Sequence, residues 1–326
     1  MARPNGYTAV HGTENTVDQR RRLGLRNGII PKQLGAYKIQ SLLGEGGVAV
    51  VYRALDRNMP TALKVLDQSA AAQKSVRDGF RREFKTTYNL RHPGIIRSTG
   101  TGQIDGQFYI TMELVEGETL EAFLRRNKSI GEVAAIDIIK QVADALNFIH
   151  ENGIVHRDIK PSNIMITHNN RAKLFDFGAS IDLNNLDPES LEGVYGTLGY
   201  ISPEQAQAKP DVDGRSDLYS LGLILYRMVT GRKPFYGTRQ EVLESHVATP
   251  PPYPSEFVRI SPDLEEFILK AIAKDPADRY QTGQEFSDAL THIELLPPPE
   301  PFSQRARRWL GIGNPQSAEA VPVKAK

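Results

Sequence analysis

The hydrophobic and polar positions of the chain change their period near residue 117. Between residues 37 and 66 they form short runs, YKIQSLL, VAVVYRAL and TALKVL, separated by a glycine-rich loop and by the turn sequence DRNMP. Short β-prone runs bounded by turn residues are typical of strands. The pattern predicts an antiparallel meander of three strands, a charged helix over VRDGFRREFKTTYNL, and two further strands around IIRSTGTGQ and QFYITMELV.

Beyond this point the apolar positions take a helical spacing. Ile139, Val142, Leu146 and Ile149 recur at steps of three and four, which predicts a long amphipathic helix. The same criterion predicts further helices around residues 216–230, 240–247, 264–273 and 283–295.

Two of these helices carry start signals. Ser261 is followed by Pro262, and proline is well tolerated in the first turn of a helix. Thr282 and Glu285 have the spacing of a capping box, in which side chains and backbone N–H groups at the helix start satisfy one another. A β-rich segment followed by a helix-rich one predicts the α+β class, with two unlike lobes.

Segments of different composition flank the globular part. Residues 1–35 are polar, rich in Gly, Asn and Arg, and without periodicity, and the sequence after residue 296 is first proline-rich and then small and polar. Such compositions are typical of segments that form no packed core. We expect a flexible extension over 1–35, a globular domain over 36–296 with lobes of about 36–116 and 117–296, and a tail over 297–326.

The composition limits the classes of function. The 326 residues include 40 basic and 39 acidic side chains, so the charge balance predicts no basic face for nucleic acid. The absence of cysteine excludes disulfides, thiol catalysis and zinc–thiolate sites. The N-terminus lacks the apolar core of a signal peptide, and the most apolar run, LYSLGLILYRMV, is short and interrupted by Arg227. We therefore expect a cytoplasmic protein without a transmembrane segment.

The stretch LGEGGVAVVY places Gly44, Gly46 and Gly47 within four positions. A dinucleotide-binding loop needs a following helix and an acidic residue about 20 positions on, whereas here β-prone residues follow and Lys64 stands at about that distance. A Walker loop is excluded because no Gly-Lys-Ser/Thr follows. Two interpretations remain, a tight turn between strands and a glycine hairpin that covers a phosphate.

Lys64 lies in the apolar strand sequence TALKVL. It is either a solvated lysine on a strand face or a cation that contacts phosphate oxygens. In the second case a carboxylate of the next helix would hold it, and Glu83 is the best candidate.

The densest group of reactive side chains lies in VHRDIKPSNIMI, where Asp158 is flanked by Arg157 and Lys160 and followed by Asn163. Asp158 can accept a proton from a hydroxyl, Lys160 can steady a phosphoryl group, and Asn163 can ligate Mg²⁺ through its amide oxygen. In LFDFGAS, Asp176 interrupts an apolar run, and a buried carboxylate needs a partner such as Mg²⁺. Each group alone has a structural explanation, but together they indicate phosphoryl transfer.

In this order the motifs resemble those of the Hanks-type serine/threonine protein kinases, over about residues 37–295. GTLGYISPE stands where that family ends its activation segment, with Ser202-Pro203-Glu204 for the usual Ala-Pro-Glu. Asp217 in RSDLYSLG and Arg279 in DPADRYQT match two further landmarks, and the family pairs the carboxylate of Glu204 with that arginine. The sequence Pro-Glu-Gln-Ala resembles that of the bacterial branch of this family.

The resemblance implies a bilobal fold, with a small antiparallel β-rich lobe that carries one key helix and a larger helical lobe. ATP with Mg²⁺, or Mn²⁺ in its place, would bind between the lobes. Lys64, held by Glu83, would contact the α- and β-phosphates, and Met112 would be the gatekeeper. The nucleotide-binding residues that it implies are Leu43, Gly44, Glu45, Gly46, Gly47, Val51, Ala62, Lys64, Met112, Glu113, Val115 and Met165.

For catalysis, the resemblance implies that Asp158 orients the attacking hydroxyl and that Thr197 braces Asp158 and Lys160. Asn163 and Asp176 would hold the metal. The activity implied is transfer of the γ-phosphoryl group of ATP to Ser/Thr hydroxyls of proteins, including autophosphorylation. The implied partners are protein substrates and a cognate phosphatase.

Two alternatives belong to other classes. A nucleotide-binding pseudokinase scaffold predicts the loss of Lys64, Asp158 or Asp176, and all three are present. A small-molecule kinase shares the two lobes but usually lacks the Ser-Pro-Glu segment and its arginine partner, which are both intact here.

The chain departs from the family pattern in two places. Ala49 occupies the third-glycine position, where a small residue is tolerable because the backbone contacts the phosphate. The activation segment, residues 179–196, is acidic, and Ser180 and Ser190 are its only serine or threonine residues before Thr197. Either Ser190 is autophosphorylated, with nearby acidic residues partly substituting for phosphate, or the acidic loop is held in place constitutively.

The tail carries a basic and aromatic group, Arg305, Arg307, Arg308, Trp309 and Leu310. This group either docks on a membrane surface or a partner, or belongs to a disordered tail.

Overall fold

The structure is a computed structural model that describes residues 30–186 and 195–295. The chain forms a small lobe built on one antiparallel sheet and a larger helical lobe, as the α+β prediction required. The small-lobe strands, in the sheet order β1-β2-β3-β4-β6-β5, are β1 (Gln33–Leu34), β2 (Tyr37–Glu45), β3 (Ala49–Asp56), β4 (Met59–Leu66), β6 (Gln107–Met112) and β5 (Ser98–Ile104).

The strand β1 was not predicted. It pairs with the start of β2, with Gln33 opposite Lys38, and so lies inside the segment 1–35 that composition assigned to a flexible extension. The sheet therefore begins earlier than the sequence suggested, because two residues of ordinary composition gain order by pairing with an existing strand edge.

The two faces of the small-lobe sheet are both covered. Val50, Tyr52 and Ala54 alternate along β3 and pack on one face. On the other face, Ala49, Leu66 and Ile110 pack with Phe80 of α1 (Lys74–Asn89). This is the charged helix that the sequence predicted. The period of two along β3 thus separates two apolar layers, and α1 is fixed against one of them.

The large lobe consists of helices packed around one long core. Its helices are α2 (Leu120–Asn127), α3 (Glu132–Glu151), α4 (Pro203–Ala206), α5 (Gly214–Thr230), α6 (Arg239–Ala248), α7 (Pro262–Ala271) and α8 (Gly283–Thr291). The helix α5 is buried along nearly its whole length and packs against α3 and α7. In the part of the chain that the structure describes, no helix is both long and apolar enough to cross a bilayer.

Two helices, α2 and α4, were not predicted, because eight and four residues are too few for a periodic signal. Two predictions for α8 were also wrong in part. The helix α8 ends at Thr291 and not at residue 295. The capping box at its start is only half formed, since Thr282 Oγ1 accepts from the N–H of Glu285 at 3.0 Å while the Glu285 carboxylate accepts from the N–H of Gln281 at 2.7 Å.

Short strands in the large lobe place the reactive loops. β7 (Gly117–Thr119), β9 (Ile164–Thr167) and β10 (Ala172–Leu174) form a sheet of order β10-β9-β7, and β8 (Ile154–Val155) pairs with β11 (Ile181–Asp182). The pairing of Ile164 with Leu174 brings Asn163 beside Phe175, whose N–H donates to the Asn163 carbonyl at 3.0 Å. The loops around Asp158 and Asp176 are therefore held side by side.

Candidate active site

Lys64 stands at the centre of an ion cluster that joins the two lobes. Its Nζ lies 2.6 Å and 2.7 Å from the two carboxylate oxygens of Glu83 on α1 and 2.9 Å from Oδ1 of Asp176. The predicted pair with Glu83 is present, and the interpretation of Lys64 as a solvated surface lysine is wrong, because its side chain is only 13% exposed.

The cluster fixes the charges of its members. Burial alone would lower the pKa of Lys64, but the carboxylates of Asp176 and Glu83 outweigh it and raise that pKa. The ammonium of Lys64 lowers the pKa of Asp176, while burial raises the pKa of Glu83. Both shifts favour the charged forms, the Lys64 ammonium and the Asp176 carboxylate, which phosphate and Mg²⁺ binding would require.

Asp176 was expected to be buried in its apolar run, and this expectation is wrong. Its side chain is 39% exposed, whereas the next residue, Phe177, is fully buried. The backbone at Asp176 is left-handed, with φ 66°, so the chain turns the carboxylate out toward the cleft and the ring in toward the core. The open side of the carboxylate is therefore accessible to a ligand.

Asp158 is held by a closed set of hydrogen bonds. Its Oδ2 accepts from Lys160 Nζ at 2.6 Å and its Oδ1 accepts from Thr197 Oγ1 at 2.7 Å, while Lys160 Nζ also donates to Thr197 Oγ1 at 3.0 Å. The predicted bracing by Thr197 is present in the structure. This arrangement fixes the orientation of the carboxylate, which is what a group that accepts a proton from a positioned hydroxyl needs.

Asn163 is hydrogen-bonded to the backbone of the same loop. Its Nδ2 donates to the Asp158 carbonyl at 3.0 Å, which leaves the amide oxygen as the atom suited to a metal. Among residues 30–186 and 195–295, no group of three His, Asp or Glu side chains could hold a metal by itself. Because Mg²⁺ at such sites takes one or two protein ligands and completes its shell with phosphate oxygens and water, Asn163 and Asp176 fit a metal that arrives with a nucleotide.

The glycine loop is the tip of the β2–β3 hairpin. Gly46 N–H donates to the Ala49 carbonyl at 2.9 Å and closes it. The strand register sets Gly44 opposite Val51 and Val51 opposite Lys64, so the loop lies in line with the ion cluster. A Cβ added at Gly44 would meet no heavy atom within 4 Å, so the packing of the chain does not require glycine there.

The other predicted nucleotide-binding residues come from several elements. Leu43, Glu45 and Gly47 belong to the β2–β3 hairpin, Ala62 pairs with Met112 across β4 and β6, and Thr61 Oγ1 donates to the Met112 carbonyl at 2.9 Å. The connection that follows carries Glu113 and Val115, and Lys173 of β10 lies 2.8 Å from the Glu113 carboxylate. Met165 lies on β9, opposite Thr119.

The sequence marked Asp217 only as a landmark and missed what it does. On the first turn of α5, its carboxylate is 1% exposed and accepts from the N–H groups of His156 and Arg157, both at 2.8 Å. It also lies 2.8 Å from His150 Nε2. An acidic residue in a largely apolar helix was a signal in the sequence that Asp217 has a buried partner. The partners themselves could not be identified, because they lie about 60 residues away along the chain.

The activation segment is described at its two ends. Ser180 is 2% exposed and its Oγ donates to the Phe177 carbonyl at 2.7 Å, so it is not presented as a phosphate acceptor. Ser190 and the acidic residues around it lie outside the described residues, and the hypothesis of its autophosphorylation stays a prediction. The predicted pair of Glu204 and Arg279 is present, with two contacts of 2.9 Å.

His246 on α6 contacts the end of the activation segment. Its Nε2 lies 3.0 Å from the Leu198 carbonyl and its Nδ1 lies 3.0 Å from the Tyr219 hydroxyl. Burial, with the ammonium of Lys274 nearby, lowers the pKa of His246 to about 4. The neutral imidazole is therefore the form that the folded protein holds.

We expect this histidine to make stability pH-dependent. Since its folded pKa lies below the unfolded value, its contribution is complete above the unfolded pKa and is lost as pH falls through 6.5 toward 4. Between about pH 7.5 and 5.5 the loss should be about 1.4 kcal/mol. Urea unfolding of the wild type and of His246→Gln at both pH values measures it, with His292→Gln as an exposed control. Equal pH dependence in all three proteins would contradict the prediction.

Known proteins are similar to this chain in sequence and in fold. Residues 37–292 match the family described as protein kinase domain. The serine/threonine-protein kinase PknB of Mycobacterium leprae is 40% identical over 273 residues, 81% of this chain and 44% of that protein. PknB of Mycolicibacterium smegmatis is 40% identical over 268 residues, 79% of this chain and 43% of that protein. The chain thus spans less than half the length of these curated relatives.

A solved structure shows the same fold. The crystal structure of a double mutant of the PknI kinase domain of Mycobacterium tuberculosis superposes with a TM-score of 0.62 at 29% identity, covering 79% of this chain and 96% of the other. Together with the match over 37–292 and the 40% identity to bacterial kinases, this likeness establishes the family. The chain belongs to the protein kinase family.

Proposed function

We propose that the chain is a serine/threonine protein kinase that transfers the γ-phosphoryl group of ATP to protein hydroxyls. The observation that carries the proposal is the hydrogen-bonded set of Asp158, Lys160 and Thr197 in the loop beside the ion cluster of Lys64 and Asp176. The names of its relatives support the choice of serine and threonine as acceptors.

In this proposal, the acceptor hydroxyl attacks the γ-phosphorus, the bond to the β,γ-bridging oxygen breaks, and Asp158 accepts the hydroxyl proton. Lys160 offsets the negative charge that develops on the phosphoryl oxygens, and Thr197 keeps the carboxylate in position. Lys64 contacts the α- and β-phosphates. Mg²⁺, or Mn²⁺, held by Asp176 and Asn163, would neutralise phosphate charge when the nucleotide is bound.

The remaining assignments follow the same proposal. Residues 36–296 would be the catalytic domain, flanked by the segments 1–35 and 297–326, and the protein would act in the cytoplasm with a cognate phosphatase. The glycine loop, with Glu45 and Gly47, would cover the phosphates. Leu43, Val51, Ala62, Met112, Met165 and the segment 113–115 would enclose the adenine.

The test is transfer of radiolabelled phosphate from ATP, with Mg²⁺, to casein and to the chain itself, followed by acid hydrolysis. Phosphoserine and phosphothreonine are expected, because the loop 158–163 contains the Lys-Pro-Ser-Asn motif of serine/threonine kinases. Phosphotyrosine alone would contradict the acceptor class. Phosphate transfer to an aminoglycoside or choline and to no protein would favour the small-molecule alternative, and nucleotide binding without transfer would favour the pseudokinase.

Ala49, which stands at the third-glycine position, belongs to the core of the small lobe. Its side chain is 4% exposed and packs with Leu66, Phe80 and Ile110 inside the small lobe. Because the methyl group points away from the loop, we expect Ala49→Gly to change the KM for ATP only slightly and to destabilise the fold by about 0.5–1 kcal/mol.

A matched control is available in the same strand. Ala54 is also buried, and Ala54→Gly should cause a similar loss of stability with no effect on ATP. Steady-state kinetics of both variants measure the KM for ATP, and thermal unfolding measures the loss of stability. A change in KM of more than about tenfold, ~1.4 kcal/mol, in Ala49→Gly alone would show that the methyl group shapes the phosphate lid.

A further inference from the structure

Arg157, the residue before Asp158, has an unfavourable backbone conformation. Its φ is 63°, in the left-handed region that a residue with a side chain seldom adopts. Such a conformation persists only where neighbouring groups hold it. The position of the Asp158 carboxylate therefore depends on what holds the peptide units on both sides of Arg157.

One side of this residue is held from the large-lobe core. The N–H of Arg157 donates to Asp217 Oδ1 at 2.8 Å, and its side-chain Nε donates to the Ala179 carbonyl at 2.7 Å. The guanidinium also lies 4.2 Å from the centre of the Tyr195 ring, a cation–π contact. These contacts leave the carbonyl of Arg157, which belongs to the peptide unit shared with Asp158, to be held by another group.

That group is the side-chain amide of Gln205 on α4. Its Nε2 donates to the Arg157 carbonyl at 2.7 Å and to the Tyr195 carbonyl at 3.2 Å, and its Oε1 accepts from the N–H of Ser202 at 3.1 Å. The residue is 4% exposed, and its amide group is engaged through both of its polar atoms. One buried amide thus ties the end of the activation segment to the catalytic loop.

Gly196 leaves room for this contact. Its φ of 116° suits glycine, and an added Cβ would lie 3.1 Å from the Arg157 carbonyl oxygen and 3.4 Å from Gln205 Nε2. The two chain segments therefore lie close enough that a side chain at position 196 would crowd the Arg157 carbonyl and the Gln205 amide.

We propose that Gln205 is a positioning residue for phosphoryl transfer, which acts by donating from Nε2 to the Arg157 carbonyl and so holds Asp158 in its working orientation. This inference rests on the proposed kinase activity. It attributes to the residue after Ser-Pro-Glu a role in the chemical step, in addition to the cap that it makes on α4.

The two roles can be separated by substitution. Ser202→Ala removes the oxygen that accepts from the N–H of Gln205 at 3.3 Å but leaves the side-chain amide and its contacts. Gln205→Met keeps the length of the side chain and removes the donor. Gln205→Glu keeps the shape and places a carboxylate oxygen against two carbonyl oxygens, which repel it.

We expect Gln205→Met to lower kcat at least about tenfold, because small misplacements of a catalytic group cost rates of this order, with the KM for ATP changed less than about threefold. Ser202→Ala should keep kcat within about twofold of the wild type. Comparable loss of kcat in Ser202→Ala, or a normal kcat in Gln205→Met, would overturn the proposal. Thermal unfolding and fluorescence titration with an ATP analogue establish that each variant is folded and binds nucleotide.

The pH dependence of Gln205→Glu supplies a signature that a loss of packing would not give. Burial beside two carbonyl oxygens raises the pKa of a carboxyl at this position and acts against the charges of Arg157 and Lys209, which line the same cavity. The protonated carboxyl has an O–H that can donate to the Arg157 carbonyl. Its kcat relative to the wild type should therefore rise as the pH falls from about 8 to 6. A constant ratio across that range would overturn the requirement for a donor. If the wild type transfers no phosphate, the proposed function fails first; if it does and these variants behave as the wild type, only this inference fails.

Discussion

Replacement of Asp158 by asparagine should lower kcat for phosphoryl transfer by about 10²–10⁴-fold, the contribution that a positioned general base usually makes. Asparagine cannot accept the hydroxyl proton, and it removes the negative charge next to Lys160. The local structure should survive, because the amide oxygen can still accept from Lys160 Nζ while the amide N–H₂ faces the Thr197 hydroxyl, which can turn to accept.

The measurement compares phosphate transfer and nucleotide binding in the same preparations. Asp158→Asn should bind an ATP analogue with a Kd within about threefold of the wild type, since Lys64, Asp176 and the glycine loop are untouched. Asp137→Asn, the same substitution at an exposed residue of α3, is the matched control. If Asp158→Asn kept more than a tenth of the wild-type kcat, the assignment of Asp158 as the catalytic base would be wrong.

Replacement of Arg279 by alanine should produce the largest loss of stability. The Arg279 side chain is fully buried and donates to both oxygens of Glu204 at 2.9 Å, as well as to the carbonyls of Ala273 and Lys274 at 2.8 Å and 2.9 Å. Its removal leaves the Glu204 carboxylate buried without its cation, which costs roughly 3–5 kcal/mol in comparable pairs. Because Glu204 lies in the first turn of α4, at the end of the activation segment, we also expect activity to fall.

Urea unfolding gives the free energy of unfolding, and an exposed pair in the same chain supplies the control. Arg126 contacts Glu118 through two hydrogen bonds of 3.0 Å and 2.7 Å, but its side chain is 62% exposed, so Arg126→Ala should change stability little. A double variant, Glu204→Gln with Arg279→Met, should be more stable than Arg279→Ala, since it leaves neither charge of this pair buried. Equal stability of Arg279→Ala and Arg126→Ala would show that the buried pair does not stabilise the fold.

The stabilisation by the Glu204–Arg279 pair should depend on pH. Burial alone would raise the pKa of Glu204, but the hydrogen bonds and charge of Arg279 outweigh it and lower that pKa. The contribution of the pair is therefore present at neutral pH and is lost as the pH falls through the titration range of the carboxyl.

Much of the fold could be predicted from the sequence because its signals are local. Ile139, Val142, Leu146 and Ile149 lie on one face of a helix because their spacing matches its period of 3.6 residues. The structure has that helix as α3. The β-prone run VAVVYRAL likewise predicted a strand, and the structure has that strand as β3. Where the local signal was short or absent, as for β1 and α2, the prediction failed.

The candidate catalytic residues could be predicted from the sequence, because Asp158, Lys160, Asn163 and Asp176 follow one another in a specific order of motifs. How these side chains are held became evident from the tertiary structure alone. Asp217 and Gln205 reach Arg157 from 60 and 48 residues away along the chain, and Arg279 reaches Glu204 from 75. Such contacts leave no period or spacing in the sequence, since they depend on how helices and loops that are distant along the chain pack together.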